Sequence, residues 1–223
     1  MYRYRMAVLV DGGFFLKRLK SQYPSVDAGD AKAVAQIIHQ HALRHRNQIT
    51  GADSAGKIVE TYDLYRIGFN PVLAAHELVA VSHDHPASAD VAQAQDDIRA
   101  ADALTVFYPL WWLSMPAMMK GYIDRVFARG FAYESHNGIV RGLLSGKKSV
   151  LITVSGAPLP LLVQSGNWNA VQVLQDTHIF RSAGFDLLEH LHFDEVAPHL
   201  SEALAKTHMA RVRTCARKHF PAA

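Results

Sequence analysis

The chain has 223 residues, 49% of them hydrophobic and 19% charged, with a formal net charge of +3. That is enough for one sizeable α/β core, while the weak, scattered charge argues against a nucleic-acid binder and no apolar run approaches the ~18 residues of a membrane span. The single cysteine, Cys215, excludes an intrachain disulfide and any multi-cysteine metal site, and a reducing, cytoplasmic setting is expected.

An aliphatic run over 6–10 predicts a first strand ending in the turn Asp11-Gly12-Gly13, too early an interruption for a secretory signal core. Asp30 is placed to cap a helix over 31–46, where Val34, Ile37, Ile38 and Leu43 recur near helical spacing. A second strand is predicted over 57–67; 73–86 gives no clear element, and His83-Asp84-His85-Pro86 with the Ala/Ser stretch after it reads as an exposed excursion. Asp90 caps a helix to about Ala101, and 103–108 reads as the third strand. The next helix is predicted over 116–128, with Ser114 as its cap and Pro116 in its first turn. Residues 130–148 read as loop, and 149–154 as a fourth strand whose unbroken apolar run suits a buried parallel position. After the loop Ser155-Gly156-Ala157-Pro158 come a helix over 168–183 stopped by Gly184, a fifth strand over 185–193, and a helix over 201–219. On that last helix Leu204, His208, Val212 and Cys215 share a face. The alternation predicts a doubly wound five-stranded parallel sheet in the order 2-1-3-4-5, with helices on both faces, as one domain over 1–223.

The stretch 104–131 is the most informative. A buried strand ends at Pro109, and Trp111 and Trp112 follow where ligands bind in open α/β sheets, outside the carboxyl ends of the strands. Two adjacent indoles there suit a flat aromatic ligand; core or dimer-interface aromatics are the plainer reading. Ser155-Gly156-Ala157 by itself is an ordinary strand-to-helix turn. Lys120 and Arg125 read as solvent-facing or locally paired side chains. The pairs His41/His45, His83/His85 and His190/His192 bring no third ligand at a suggestive spacing, so no metal site is assigned. They are read as surface or partly buried histidines, and Cys215 as a small hydrophobe.

Ordered motifs over 68–220 carry a family resemblance. They are Gly68-Phe69-Asn70-Pro71-Val72-Leu73, Pro109-Leu110-Trp111-Trp112 with Pro116-Ala117 and Lys120-Gly121, Asp124-Arg125-Val126-Phe127, Phe131-Ala132-Tyr133, and Ser155-Gly156-Ala157-Pro158. This part of the chain resembles the flavodoxin-like NAD(P)H:quinone reductases of the DT-diaphorase type. The resemblance implies a flavodoxin-like fold, bound FAD or FMN, two-electron transfer from NAD(P)H to quinones or similar acceptors, and a homodimer. Carried onto this sequence, it places Pro109, Leu110, Trp111, Trp112 and Leu113 along one edge of the isoalloxazine ring. Val154, Ser155, Gly156 and Ala157 fall near its polar edge, with Tyr133 and Trp112 in the substrate pocket.

Two departures accompany the resemblance. That family's first strand ends in Ala-His-Pro and leads to a Ser-x-Asn that holds the flavin pyrophosphate at a helix start; here the strand ends in Val10-Asp11-Gly12-Gly13. Many relatives also carry a Tyr and a His that assist hydride transfer, where this chain reads Leu161 to Trp168 with neither, so no catalytic side chain is assigned. Residues 1–48 instead resemble the start of an NYN (PIN-like) domain, in which Asp11 would be a metal-binding carboxylate, with 49–67 as a junction. The leading expectation is a flavin-dependent NAD(P)H oxidoreductase. The alternatives are a flavodoxin-like fusion or scaffold that has lost tight flavin binding, and a metal-dependent NYN-type nuclease using Asp11 with Asp27, Asp30 or Asp63.

Overall fold

The computed structural model describes residues 5–10, 58–78, 88–196 and 200–220. In chain order these form β1 (Arg5–Val10), β2 (Ile58–Asp63), α1 (Ala89–Ala100), β3 (Ala103–Pro109), α2 (Ala117–Val126), β4 (Tyr133–His136) and β5 (Ile139–Gly142). Then follow β6 (Lys148–Val154), α3 (Leu159–Gln164), α4 (Asn167–Val171), a π-helical segment (Gln172–Arg181), β7 (Asp186–Phe193) and α5 (Glu202–His219). Five strands make one parallel sheet in the order β2-β1-β3-β6-β7, which is 2-1-3-4-5 when the parallel strands alone are counted. The predicted turn at Asp11 and the helix over 31–46 lie outside the described residues.

The central strands are where the apolar runs put them, because a parallel strand covered on both faces needs no polar alternation. Every residue of β3 is buried, and its side chains divide between two cores. Leu104, Val106 and Tyr108 join Leu151, Leu187 and Phe180 with Ile98 of α1 and Met119, Tyr122, Ile123 and Val126 of α2. Phe107 joins Val150, Ile152, Val154, Leu191 and Phe193 under Val212 and Cys215 of α5. The last helix therefore docks the face expected of it, and Ser201 caps it by accepting from the Leu204 N–H.

Several local expectations are corrected. β2 stops at Asp63 rather than Ile67, because the Asp63 carboxylate turns back to accept from the N–H groups of Tyr65 and Arg66. Residues 130–148 are not simply loop: β4 and β5 form an antiparallel hairpin. Its two-residue turn is Asn137-Gly138, with φ of 51° and 79°, the positive pair that a twisted two-residue hairpin demands. Ser114 does not cap α2. Pro116 occupies that position, while Ser114 and Trp111 exchange backbone hydrogen bonds of 2.9 and 3.0 Å. Ser88, not Asp90, stands at the N-terminal cap of α1. The helix predicted over 168–183 begins as α4 and widens into π geometry over Gln172–Arg181, and α3 precedes it.

Asp90 is instead held by Arg125, which is buried rather than solvent-facing. Its Nε and Nη2 donate to Glu77, and Nη1 donates to Asp90 and to the Asn70 carbonyl oxygen. Glu77, in a stretch the sequence left without an element, is thus anchored and 7% exposed; residues 79–87, with the expected excursion from His83 to Ala87, lie outside the described set. Lys120 does pair locally, with Asp124 one helical turn on. Where α2 crosses the turn at Pro71, a Cβ on Gly121 would stand 2.2 Å from the Pro71 carbonyl oxygen, so only glycine fits.

Candidate functional site

The two loops expected to line a ligand are brought together at the carboxyl edge of the sheet. Pro109 and Val154 are register partners at the ends of β3 and β6, and the Leu110 N–H donates to the Val154 carbonyl oxygen at 2.8 Å. Beyond that bond the first loop turns sharply. Trp112 and Leu113 adopt φ of 53° and 62°, left-handed backbone that costs a residue with a side chain roughly 1–2 kcal/mol each. Strain of this kind gathers where a site must hold a set shape. Here a buried network over-determines it. The Tyr108 hydroxyl donates to Gln175 Oε1, and Gln175 Nε2 donates to the Leu113 carbonyl oxygen at 3.1 Å. Gln175 is itself 3% exposed.

The result is an aromatic rim. Trp111 is 40% exposed and Trp112 fully so, which sets aside the core reading of this pair. The N–H groups of Trp112, Leu113, Gly156 and Ala157 donate to no acceptor among the described residues. An isoalloxazine ring presents a flat apolar face and a polar edge made mostly of acceptors. A ledge of uncommitted N–H donors beside an exposed indole fits both requirements. A Cβ at Gly156 would meet nothing closer than 4.0 Å, so the approach to this ledge is open. Tyr133 opens the hairpin at β4, half-buried, with its ring packed on the core cluster that also holds Leu110.

Behind the ledge lies a feature that the sequence reading set aside. His190 and His192 alternate on β7, so the two-residue period of a strand puts both on one face. His190 is partly buried, as expected, while His192 is fully so, and both are hydrogen-bonded. Thr153 Oγ1 lies 2.8 Å from His190 Nε2 and 2.9 Å from His192 Nδ1. His190 Nδ1 lies 2.7 Å from Asp176 Oδ1, and His192 Nε2 lies 3.0 Å from Ser155 Oγ. The indole of Trp168 covers both rings, with centroids 5.0 and 4.7 Å away. Burial, reinforced by the charge of His190, brings the His192 imidazole down to about 4. The signal available in sequence was the His-x-His alternation on a predicted strand; the partners Thr153 and Asp176 come from other elements.

Among the described residues, Glu189, Cys215 and His219 also bring ligand-type atoms within 4.8 Å of one another. Glu189 is already committed to His219 Nε2 at 2.7 Å and Lys218 Nζ at 3.4 Å, and burial pushes the Cys215 thiol up to about 12. Of the carboxylates considered for a nuclease centre, Asp11, Asp27 and Asp30 lie outside the described residues, and Asp63 is spent on its own turn.

Residues 39–215 match the family model described as a flavodoxin-like fold. The match takes in residues 39–48, part of the segment likened to an NYN domain. An uncharacterized NAD(P)H oxidoreductase of Haemophilus influenzae is 33% identical over 147 residues, 66% of this chain and 71% of that protein. The NAD(P)H dehydrogenase [quinone] 1 of Rattus norvegicus is 30% identical over 152 residues, 60% of this chain and 55% of that protein. An NAD(P)H:quinone oxidoreductase from Methanothermobacter marburgensis superposes with a TM-score of 0.73 at 22% identity, covering 96% of this chain and 97% of that one. No described helix is long and apolar enough to cross a membrane.

Proposed function

The chain belongs to the flavodoxin-like fold family, and from that premise we propose that it is a flavin-dependent oxidoreductase that passes a hydride from NAD(P)H to a quinone or a similar acceptor. One observation carries the reading: the Trp112 loop and the Ser155-Gly156-Ala157 turn meet through the Leu110–Val154 bond and form one ledge of N–H donors, uncommitted among the described residues, beside a fully exposed indole. The names of the relatives from Haemophilus influenzae and Rattus norvegicus point to the same chemistry.

In this reading Pro109, Leu110, Trp111, Trp112 and Leu113 flank the ring, and Val154, Ser155, Gly156 and Ala157 serve its polar edge. Tyr133 and Trp112 border the acceptor. A bound flavin supplies the hydride acceptance and donation; the protein supplies stacking, oriented N–H donors and a dry face. FAD is the assigned cofactor, with FMN the alternative, in a cytoplasmic setting. A second copy of the chain completes the site. Leu161, Val163, Val173 and Leu174 are each more than half exposed on α3 and the π segment, and apolar surface of that kind supports such an interface.

The test is the visible absorption spectrum of the purified chain after incubation with FAD or FMN and gel filtration, followed by NADH- and NADPH-driven quinone reduction. Retained flavin with turnover supports the reading. No retained flavin leaves the flavodoxin-like scaffold, the outcome to which the missing Ser-x-Asn of the first loop points.

A further inference from the structure

We propose that Ser155, His192, Thr153, His190 and Asp176 form a proton path between the cofactor ledge and an internal store on His190, and that it supplies the proton consumed with each hydride. Proton supply to the hydride step rests on the reductase reading; the path itself does not.

The geometry is continuous. The links are Ser155 Oγ to His192 Nε2 at 3.0 Å, His192 Nδ1 to Thr153 Oγ1 at 2.9 Å, Thr153 Oγ1 to His190 Nε2 at 2.8 Å, and His190 Nδ1 to Asp176 Oδ1 at 2.7 Å. Thr153 and His192 are register partners on β6 and β7. Thr153 is 0% exposed, His192 2%, and the His190 side chain 3%. Only Ser155, half-buried at the carboxyl end of β6, opens toward the ledge. Buried polar groups are costly unless satisfied, and an unbroken row of them is unlike the apolar Leu187 and Leu191 of the same strand.

The hydrogens can be placed one by one. An ionised Asp176 only accepts, so His190 carries its hydrogen on Nδ1. Neutral His190 then accepts at Nε2 from the Thr153 hydroxyl, Thr153 accepts from His192 Nδ1–H, and His192 Nε2 accepts from the Ser155 hydroxyl. Every hydrogen points inward, and Ser155 presents a lone pair outward. When Ser155 Oγ takes a proton from a hydronium ion at the ledge, that ion's O–H breaks, leaving water, and the former Ser155 O–H breaks as N–H forms on His192 Nε2. The His192 Nδ1–H breaks as a new O–H forms on Thr153, whose old O–H breaks as N–H forms on His190 Nε2. No electrons move between residues. The charge comes to rest on His190 beside Asp176, and Ser155 now donates to the Ala157 carbonyl oxygen, 2.9 Å away. The single hydroxyl hydrogen of Ser155 thus has one acceptor for each state of the path.

Release runs backward: the Ser155 O–H breaks as an O–H forms on the acceptor. The balance is NAD(P)H plus H⁺ plus quinone giving NAD(P)⁺ plus hydroquinone, and the path provides the H⁺. Groups facing His192 favour passage over storage there. Burial, His190, Arg211 and His208 disfavour its cation, and Asp194 alone favours it. From α5, Arg211 donates to the His192 carbonyl oxygen, and the His208 ring packs at a tilt against Phe193.

The experiment is ¹⁵N-histidine NMR of the purified full chain as a function of pH, which needs no cofactor. Before His190 gains its second proton, both rings carry hydrogen on Nδ1. On acidification, protonation of His190 and the change of His192 from Nδ1–H to Nε2–H share one midpoint. Thr153→Val keeps the shape but removes the bridging hydroxyl, and the two events separate. A wild-type His192 that keeps one tautomer while His190 titrates, or switches at a different pH, overturns the path. In flavin-loaded enzyme, Thr153→Val and Ser155→Ala each lower kcat by about 10²-fold with the KM for NAD(P)H unchanged; unaltered kcat in both overturns proton supply. Coupled titration in a wild-type chain that reduces no quinone upholds the path and defeats the reductase reading alone.

Discussion

Arg125 grips Glu77 with two nitrogens at once, Nε at 3.0 Å and Nη2 at 2.6 Å, across 48 residues of sequence. The pair is desolvated, at 5% and 8% side-chain exposure, and the guanidinium holds the Glu77 carboxyl down at about 2. Removing one partner of such a pair strands the other charge, at a cost of about 3–5 kcal/mol. Arg125→Met is expected to lose that much in urea denaturation. Arg125→Lys is expected to recover little, because an ammonium cannot reproduce the fork.

Trp112→Ala is expected to leave the urea midpoint unchanged, since the indole touches solvent on all sides. Flavin affinity in the same variant is expected to fall about tenfold, or ~1.4 kcal/mol. An unchanged affinity by flavin titration removes this loop from the cofactor site.

Tyr108→Phe removes the donor to Gln175 Oε1 inside the core. The orphaned amide oxygen costs about 1–3 kcal/mol. Because Gln175 also holds the Leu113 carbonyl, flavin binding is expected to weaken in this variant even where the chain is fully folded. Intact affinity would show that the Leu113 turn keeps its shape without the clamp.

Gly138→Ala and Gly121→Ala separate two reasons for glycine. At φ of 79° with open space around it, Gly138 is needed only for its backbone, and alanine is expected to cost roughly 1–2 kcal/mol. At Gly121 the backbone angle is ordinary but the Pro71 carbonyl blocks a Cβ. That variant is expected to destabilise the chain more than Gly138→Ala in the same thermal melt, and to loosen the Asn70 contact to Arg125.

Acid is expected to weaken the fold through His192. Its imidazole sits at about 4 in the folded chain against an ordinary 6.5. The unfolded chain therefore binds that proton more readily, so this contribution is complete above about 6.5 and is lost as the pH falls toward 4. Glu77 adds a further loss in the same direction, between its ordinary 4.5 and about 2. The urea midpoint of the wild type should drop between pH 6.5 and 4 more steeply than that of His192→Gln; parallel curves would remove His192 as the cause.

The parallel core was legible because burial on both faces leaves a mostly apolar run, as in β3 and β6. The Trp112 loop and the Ser155 turn were legible from motif likeness, and their meeting follows from the adjacency of β3 and β6. What escaped was decided at long range or by turn chemistry passed over. The glycines of 130–148 suggested loop, although Asn137-Gly138 between short β-prone runs is a hairpin signal. Arg125 looked local because its partners lie 35 and 48 residues away. His190 and His192 were weighed as metal ligands, a role that asks for a third His, Cys or carboxylate. Their actual neighbours include two hydroxyls, Thr153 and Ser155, that no ligand pattern counts.

The wide-turned segment Gln172–Arg181 places two consecutive residues in different tasks: Gln175 clamps the aromatic loop, and Asp176 holds His190. Both anchors lie on one π-helical segment, so a shift of that segment would move the two together. Any coupling that this shared segment carries between the ledge and the charge on His190 is reciprocal, as thermodynamic linkage requires. Whatever a proton on His190 does to cofactor affinity, the cofactor does in equal measure to the affinity of His190 for its proton.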